Sequence, residues 1–276
     1  MSHLVTFALN HMVAPRRSVA ELVALARELG LDAIEIRNDL AGVAIADGTP
    51  AAAVREAAED GGVRILSINA LQRFNDWTPA RAEEARSLAA YAKGCGAEAL
   101  VLCPVNDRGW QPSDSERQAK LKEALRGLGN ILGEAGITGL VEPLGFEESS
   151  LRLKQDAVEA IEELDLGDRF RLVHDTFHHY LSGEPRMFPE HTGLVHISGV
   201  EDASLPLERL RDEHRVLIGP DDLSTSLLQI LGLMEGYSGA YSFEPFAVSV
   251  HEAGDIAGAL ERSMDFIDRE IARLPA

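Results

Sequence analysis

The chain has 276 residues, long for one ordinary domain and typical of a single α/β barrel of about 250 residues. Lys and Arg number 26 against 45 Asp and Glu, and the formal net charge of −19 repels phosphate backbones and anionic membranes. That balance argues against nucleic acid or a membrane as the main partner and favours a neutral small molecule or a cation, although part of the acidity is solvated helix surface.

Short β-rich runs alternate with longer helical patterns along the whole length, the signature of a parallel sheet with crossover helices. Leu4–Leu9 is the first strand. A helix follows, with Ser18 and Glu21 spaced as a capping box and Gly30 as its stop; Val19, Leu22, Val23, Ala26 and Leu29 share one face. Next come a strand at Ala33–Arg37, a helix from Ala51 to Glu59, and a strand at Val63–Asn69. The third helix runs from Pro79 to Lys93 and stops at the Gly94-Cys95-Gly96 turn, before a strand at Ala99–Cys103. A long helical pattern from Ser115 to Glu134 ends at Gly136. The fifth strand leads to Glu142, a helix spans Lys154 to Leu164, and the sixth strand runs into Asp175. A short irregular segment separates it from a seventh strand at Leu194–Ser198. A helix at Leu223–Met234, an eighth strand ending in Glu244 and a final helix at Ala253–Ala272 complete the chain.

Eight strands, eight helices (the sixth weak) and no linker-like segment predict one (β/α)8 TIM barrel over residues 1–276. An open doubly wound sheet would carry a glycine-rich phosphate loop after its first strand, where this chain has Asn10-His11-Met12-Val13-Ala14-Pro15. Cys95 and Cys103 form no CxxC pair and read as buried thiols of a reducing compartment. No secretory leader is apparent and no apolar run approaches the roughly 20 residues that cross a bilayer, so the expected location is cytoplasmic.

Four consecutive strands each bring one metal-competent side chain towards the same rim: Glu142, Asp175, His196 and Glu244. Active sites of such barrels lie at the C-terminal strand ends, and neighbouring strands stand about 4.8 Å apart, so the four can converge. Taken singly, a strand-end Glu usually caps a loop or pairs with Arg, and a strand His is usually a core residue. Together they lack a matching set of basic residues, with only Arg37 and Arg215 nearby. One divalent metal (Mn²⁺, Mg²⁺, Co²⁺ or Zn²⁺) is the better partner for three carboxylates and an imidazole. His174, one residue before Asp175, points to the opposite side of its strand, towards the helices.

These segments resemble the sugar-isomerase branch of the xylose-isomerase-like TIM barrels, most closely the inosose (2-keto-myo-inositol) isomerases of inositol catabolism. The likeness rests on Ile34-Glu35-Ile36-Arg37, Asn69-Ala70-Leu71 with Phe74-Asn75, Val141-Glu142, and Leu172-Val173-His174-Asp175-Thr176-Phe177-His178. It continues through Val195-His196-Ile197 with Glu201-Asp202, Arg215-Val216 with Gly219, and Ser242-Phe243-Glu244. The resemblance implies that Glu142, Asp175, His196 and Glu244 ligate one divalent metal, and that His178 and Arg215 contact substrate or nearby water. Asn69, Arg37 and Phe74 fall at further candidate substrate positions. Ser198 and Gly199 stand where relatives often carry acids, and Gly219-Pro220-Asp221 replaces Gly-x-Gly, departures that bear on the identity of the sugar.

The implied reaction interconverts keto-inositols, or another polyol ketone, by proton transfer through a metal-stabilised enediolate, with Glu142 and Glu244 as base and acid. Ketose 3-epimerase, hydroxypyruvate isomerase and inosose dehydratase use the same ligands and are the nearest alternatives. An endonuclease IV-like phosphodiesterase conflicts with the acidic charge. A non-catalytic metal- or sugar-binding barrel is the reading from another class. Phe74, Trp77 and Trp110 lie in loops on the presumed entry face and suit either an apolar lid or a homo-oligomer contact.

Overall fold

A computed structural model describes residues 3–40 and 48–273. Eight parallel strands close into a barrel in sequence order: β1 (Thr6–Asn10), β2 (Ala33–Arg37), β3 (Arg64–Leu71), β4 (Ala99–Leu102), β5 (Thr138–Val141), β6 (Phe170–Asp175), β7 (Thr192–Ile197) and β8 (Ala240–Phe243), with β8 pairing back onto β1. The main helices of the outer layer are α1 (Val19–Glu28), α2 (Ala51–Gly61), α3 (Pro79–Cys95), α4 (Asp114–Ala135), α5 (Lys154–Glu163), α6 (Thr176–Ser182), α7 (Ser226–Leu233), α8 (Val248–His251) and α9 (Ile256–Ala272). None of the described helices is long and apolar enough to cross a membrane.

The expected helix signals act as read. Ser18 and Glu21 form the reciprocal capping box of α1, and Gly136 closes α4 with φ of 75°, a left-handed conformation that costs glycine nothing. Several boundaries move by a few residues, and two of the differences have a clear physical reason. α4 begins before Ser115, because Ser113 caps it and Glu116 returns the bond. The segment after β6, expected to be irregular, begins with α6: the Asp175 carboxylate accepts the His178 backbone N–H at 2.9 Å and Gly183 ends the helix with φ of 66°.

Strand side chains alternate between two separate hydrophobic clusters. One face, including Leu9, Ile34, Ile36, Leu100, Leu102, Val141, Leu172, Val195, Ile197 and Phe243, packs into the main core with the helices. The other face, including Ala8, Ala33, Ala99, Val101, Leu140, Val173, Leu194 and Ala240, fills the barrel interior. Stepping on by two residues from that interior set arrives at Asn10, Glu35, Cys103, Glu142, Asp175, His196 and Ser242, with Arg37 and Glu244 a further step on. The apolar floor and the polar mouth are therefore successive layers of one inward face. Register shifts tune the arrangement: Leu66 is an extra residue in β3, so Ser67 pairs with Glu35, and Gly193 is extra in β7, so His196 pairs with Asp175.

His174 faces the helices, as its strand position predicts, and its Nε2 lies 2.9 Å from Gln229 Oε1 on α7. His179 on α6 faces Lys154, whose Nζ stands 2.7 Å from His179 Nδ1 and 2.9 Å from Glu184. Burial and the Lys154 charge push His179 down to about 3, and burial pushes His174 well below the ordinary histidine value. An unfolded imidazole takes up its proton near pH 6.5, whereas folded His179 does so only near about 3. Its contribution to stability is complete above pH 6.5 and is lost as pH falls through that window. His179→Gln should therefore flatten the acid-side decline in Tm, measured against wild type by scanning calorimetry; parallel declines would remove His179 from the acid response.

Candidate metal centre

At the C-terminal mouth of the barrel, one ligand atom each from Glu142, Asp175, His196 and Glu244 lies within 4.8 Å of the others, and all four residues are buried. The strand ends account for this. Asp175 closes β6, His196 lies in β7, and Glu142 and Glu244 follow directly after β5 and β8. His196 Nδ1 stands 3.0 Å from Glu142 Oε1, 3.2 Å from Glu244 Oε2 and 3.9 Å from Asp175 Oδ2. Its other nitrogen, Nε2, is 3.1 Å from Glu35 Oε2.

Arg37 and Arg215 occupy the same mouth. Arg37 grips Asp39 with Nε and Nη2, both at 2.8 Å, and donates from Nη1 to Glu244 Oε1 at 2.7 Å. Arg215 donates to Ser198 Oγ at 3.0 Å, to Asp212 at 3.2 Å, to Glu244 Oε2 at 2.8 Å and to Asp175 Oδ2. Both guanidiniums lie against the Phe246 ring, 5.4 and 4.7 Å from its centroid. Arg37 and Arg215, the two basic residues expected nearby, thus do pair with Glu244 and Asp175, so a metal would not be the sole partner of these carboxylates. Burial alone would raise Glu244, but His196, Arg215 and Arg37 outweigh it and hold its carboxyl well below the usual range. Burial likewise opposes charge on His196, yet Glu244, Glu35 and Glu142 raise it well above the ordinary value.

The donor set fits a divalent metal. Four buried carboxylates (Glu35, Glu142, Asp175 and Glu244) face two buried guanidiniums, leaving two formal negative charges. Such a surplus in a closed site is costly unless compensated. A proton on His196 would offset half of it; a dication with a neutral imidazole ligand would offset all of it. Three carboxylate oxygens and one imidazole nitrogen are also ligands that Mn²⁺, Co²⁺ or Zn²⁺ accept.

The other expected site residues fall in different places. His178 lies in the first turn of α6, its ring 5.1 Å from that of Phe146, and its buried Nδ1 has no hydrogen-bond partner among the described residues. Asn69 is buried, and its Nδ2 donates to Glu35 Oε2 at 2.7 Å. Phe74 has no exposed surface and belongs to the main core, which corrects the expectation of a lid or oligomer contact there. Trp77 packs against α4, where a Cβ at Gly127 would meet its ring at 2.4 Å, so it is no free lid either. Trp110 remains half-buried in the loop after β4.

Asn10, Glu35, Ser67 and Cys103 are site residues that the sequence reading did not assign. Asn10 Nδ2 reaches Glu244 at 3.2 Å and Glu35 at 3.4 Å, and Cys103 Sγ donates to Glu142 Oε2 at 3.4 Å. Burial and the Glu142 charge push the Cys103 thiol well up, so it stays a neutral donor. Glu35 carried one legible signal: it sits two residues before Arg37 on a strand, and so on the same face.

A family model described as xylose isomerase-like TIM barrel matches residues 23–270. A xylose isomerase domain-containing protein of Salmonella typhimurium LT2 is 34% identical, covering 99% of this chain and 98% of its own, with a TM-score of 0.85. The IolI protein, solved with a bound zinc atom, superposes with a TM-score of 0.83 at 20% identity, covering 98% of this chain and 100% of its own. L-ribulose 3-epimerase superposes with a TM-score of 0.69 at 20% identity, covering 98% of this chain and 93% of its own. Among curated proteins no sequence matches.

The loop after β5 is pressed onto α6. Arg152 bonds the carbonyls of Gly145 and Leu181, both at 2.9 Å, and a Cβ at Gly145 would stand 2.1 Å from the His178 carbonyl oxygen. Gly145→Ala should therefore destabilise the protein by about 1–3 kcal/mol in denaturant titration, because backbone must move to admit the methyl group. An unchanged midpoint would show that the loop yields freely.

Proposed function

Because the chain belongs to the xylose isomerase-like TIM barrel family, we propose that it is a divalent-metal-dependent isomerase of polyol ketones, with a keto-inositol as the preferred class of substrate. The observation that carries this reading is the buried convergence of Glu142, Asp175, His196 and Glu244 at the barrel mouth. These four would hold the ion. When bound, a divalent ion supplies Lewis-acid stabilisation of negative charge developing on the substrate's carbonyl and neighbouring hydroxyl oxygens.

The protein's own groups divide the remaining work. Isomerisation removes a proton from the carbon beside a carbonyl and returns one to a neighbouring position. Glu244 is held by two guanidiniums, which lower its affinity for a proton and fix its orientation. Among the described residues the Glu142 side chain bonds the His196 ring and the neutral Cys103 thiol and no guanidinium, so it is the better placed of the two to take the proton first. Glu244 lies three strands further round and assists its return. The partnerless Nδ1 of His178 offers a hydrogen bond to a substrate hydroxyl. Arg37 and Arg215 already serve protein carboxylates, and the segment 41–47 after β2 contains no basic residue. A neutral polyol suits such a site better than a carboxylate or phosphate ester.

Two carboxylates on different strands could also return the proton to the opposite face of the same carbon, which is epimerisation, the reaction in the name of one structural neighbour. Product analysis separates the two. With Mn²⁺ and a panel of inososes and ketoses, wild type should incorporate solvent deuterium beside the carbonyl. Glu142→Gln and Glu244→Gln should each reduce exchange and turnover by about 10²-fold or more with unchanged circular dichroism. Near-wild-type rates in both variants would remove these carboxylates from the chemistry, and binding without exchange would favour a non-catalytic sugar-binding barrel.

A further inference from the structure

Glu35 is a fully buried carboxylate on β2, a strand that supplies none of the four clustered ligands. Its contacts are unusually complete for an acid with no Arg or Lys beside it. Oε2 accepts from Ser67 Oγ, from Asn69 Nδ2 at 2.7 Å and from His196 Nε2 at 3.1 Å, while Oε1 accepts from Asn10 Nδ2 at 3.4 Å. Asn69 also bonds Ser67 Oγ at 2.9 Å, so these two side chains brace each other as well as the carboxylate. Among the described residues, the only ionisable group that forms an ion pair with Glu35 is the imidazole of His196.

When the ring is neutral, as a metal ligand must be, that contact decides which nitrogen of His196 carries hydrogen. An ionised carboxylate only accepts hydrogen bonds, so Nε2 must be the N–H. In the neutral ring Nδ1 then presents its lone pair towards Glu142 Oε1 and Glu244 Oε2, at 3.0 and 3.2 Å. A lone pair aimed at carboxylate oxygens is repulsive unless a cation stands between them. The opposite tautomer would turn Nδ1–H into that space and leave Nε2 facing Glu35 lone pair to lone pair. Glu35 is thus placed to keep His196 ready as a ligand, with Asn69, Ser67 and Asn10 fixing the carboxylate.

Building on the reading of the four-residue cluster as a divalent-metal centre, we propose that Glu35 is its positioning residue: it orients His196 and selects the Nδ1-ligating tautomer from across the barrel. Asn69 then acts through Glu35 and not on substrate. The role needs no change of protonation during turnover, and it explains why a carboxylate is buried where no guanidinium reaches it.

The test compares wild type with Glu35→Gln, which preserves shape but removes the accepting charge. Affinities for Zn²⁺ and Co²⁺ are measured by competition with a chromophoric chelator, and the His196 ring nitrogens are assigned by ¹⁵N NMR of the Zn²⁺ form. Wild type should show Nε2 protonated and Nδ1 metal-bound, and Glu35→Gln should bind both ions about 10–100-fold more weakly. Equal affinities in the two proteins, or a wild-type His196 bound through Nε2, would overturn the proposal while leaving the metal centre standing. Failure of wild type to bind either ion would overturn the metal centre and this role together. If Glu35→Gln does not fold, Ser67→Ala and the wild-type NMR assignment still decide. Ser67→Ala removes one donor to Glu35 and should weaken binding by a smaller factor than Glu35→Gln is expected to show; unchanged affinity together with the reverse tautomer would overturn the proposal.

Discussion

The structure turns on the imidazole of His196, enclosed on one side by Glu142, Glu244 and Asp175 and on the other by Glu35. Placing so many acids in a closed barrel mouth costs several kcal/mol per uncompensated charge. Arg37 and Arg215 offset part of that cost and are tied in turn to Asp39 and Asp212 at the rim. The remaining surplus of negative charge is what a dication would offset, and the proposed metal centre rests on it. The proposed chemistry is a consequence of the same imbalance, since a group that compensates buried carboxylates can also stabilise charge developing on a substrate oxygen.

The barrel makes this concentration of charge structurally tolerable. Its inward face is apolar at the floor, with Leu140, Val173 and Leu194, and becomes polar one step higher with Glu142, Asp175 and His196. The outward face of the same strands stays continuous with the main core, so rigidity at the mouth is inherited from packing below and outside it. Asp175 shows how closely the levels are joined. One of its oxygens caps α6 and the other faces Arg215 and His196, so the helix carrying His178 starts on a residue of the metal cluster.

Global and local electrostatics have separate roles. The net charge of −19 is a property of the whole chain, and a field of that sign repels anions at long range. Within the mouth the guanidiniums are committed to protein carboxylates, and that commitment supports a neutral, hydroxyl-rich ligand for a member of this family. The departures at Ser198 and Gly199 gain meaning here: Ser198 Oγ accepts from Arg215 Nε, and a Cβ at Gly199 would stand 3.1 Å from an oxygen of Asp222.

By itself the sequence determined the barrel, the order of its strands and the four residues that end up together, because two-residue alternation and helix stop signals are local properties of the chain. It also separated His174 from Asp175, since adjacent strand residues face opposite sides. Only the tertiary structure decided what depends on register and closure. The extra residue at Leu66 brings Ser67 level with Glu35, and closing β8 onto β1 sets Asn10 beside Glu244. Neither event has a sequence signature, so Asn10 and Ser67 are not legible as site residues, and the bond from Asn69 to Glu35 is visible only in the closed barrel. Phe74 and Trp77 misled for a related reason: an aromatic residue in a loop is legible, but whether the loop folds it inward depends on partners such as Gly127, many residues away.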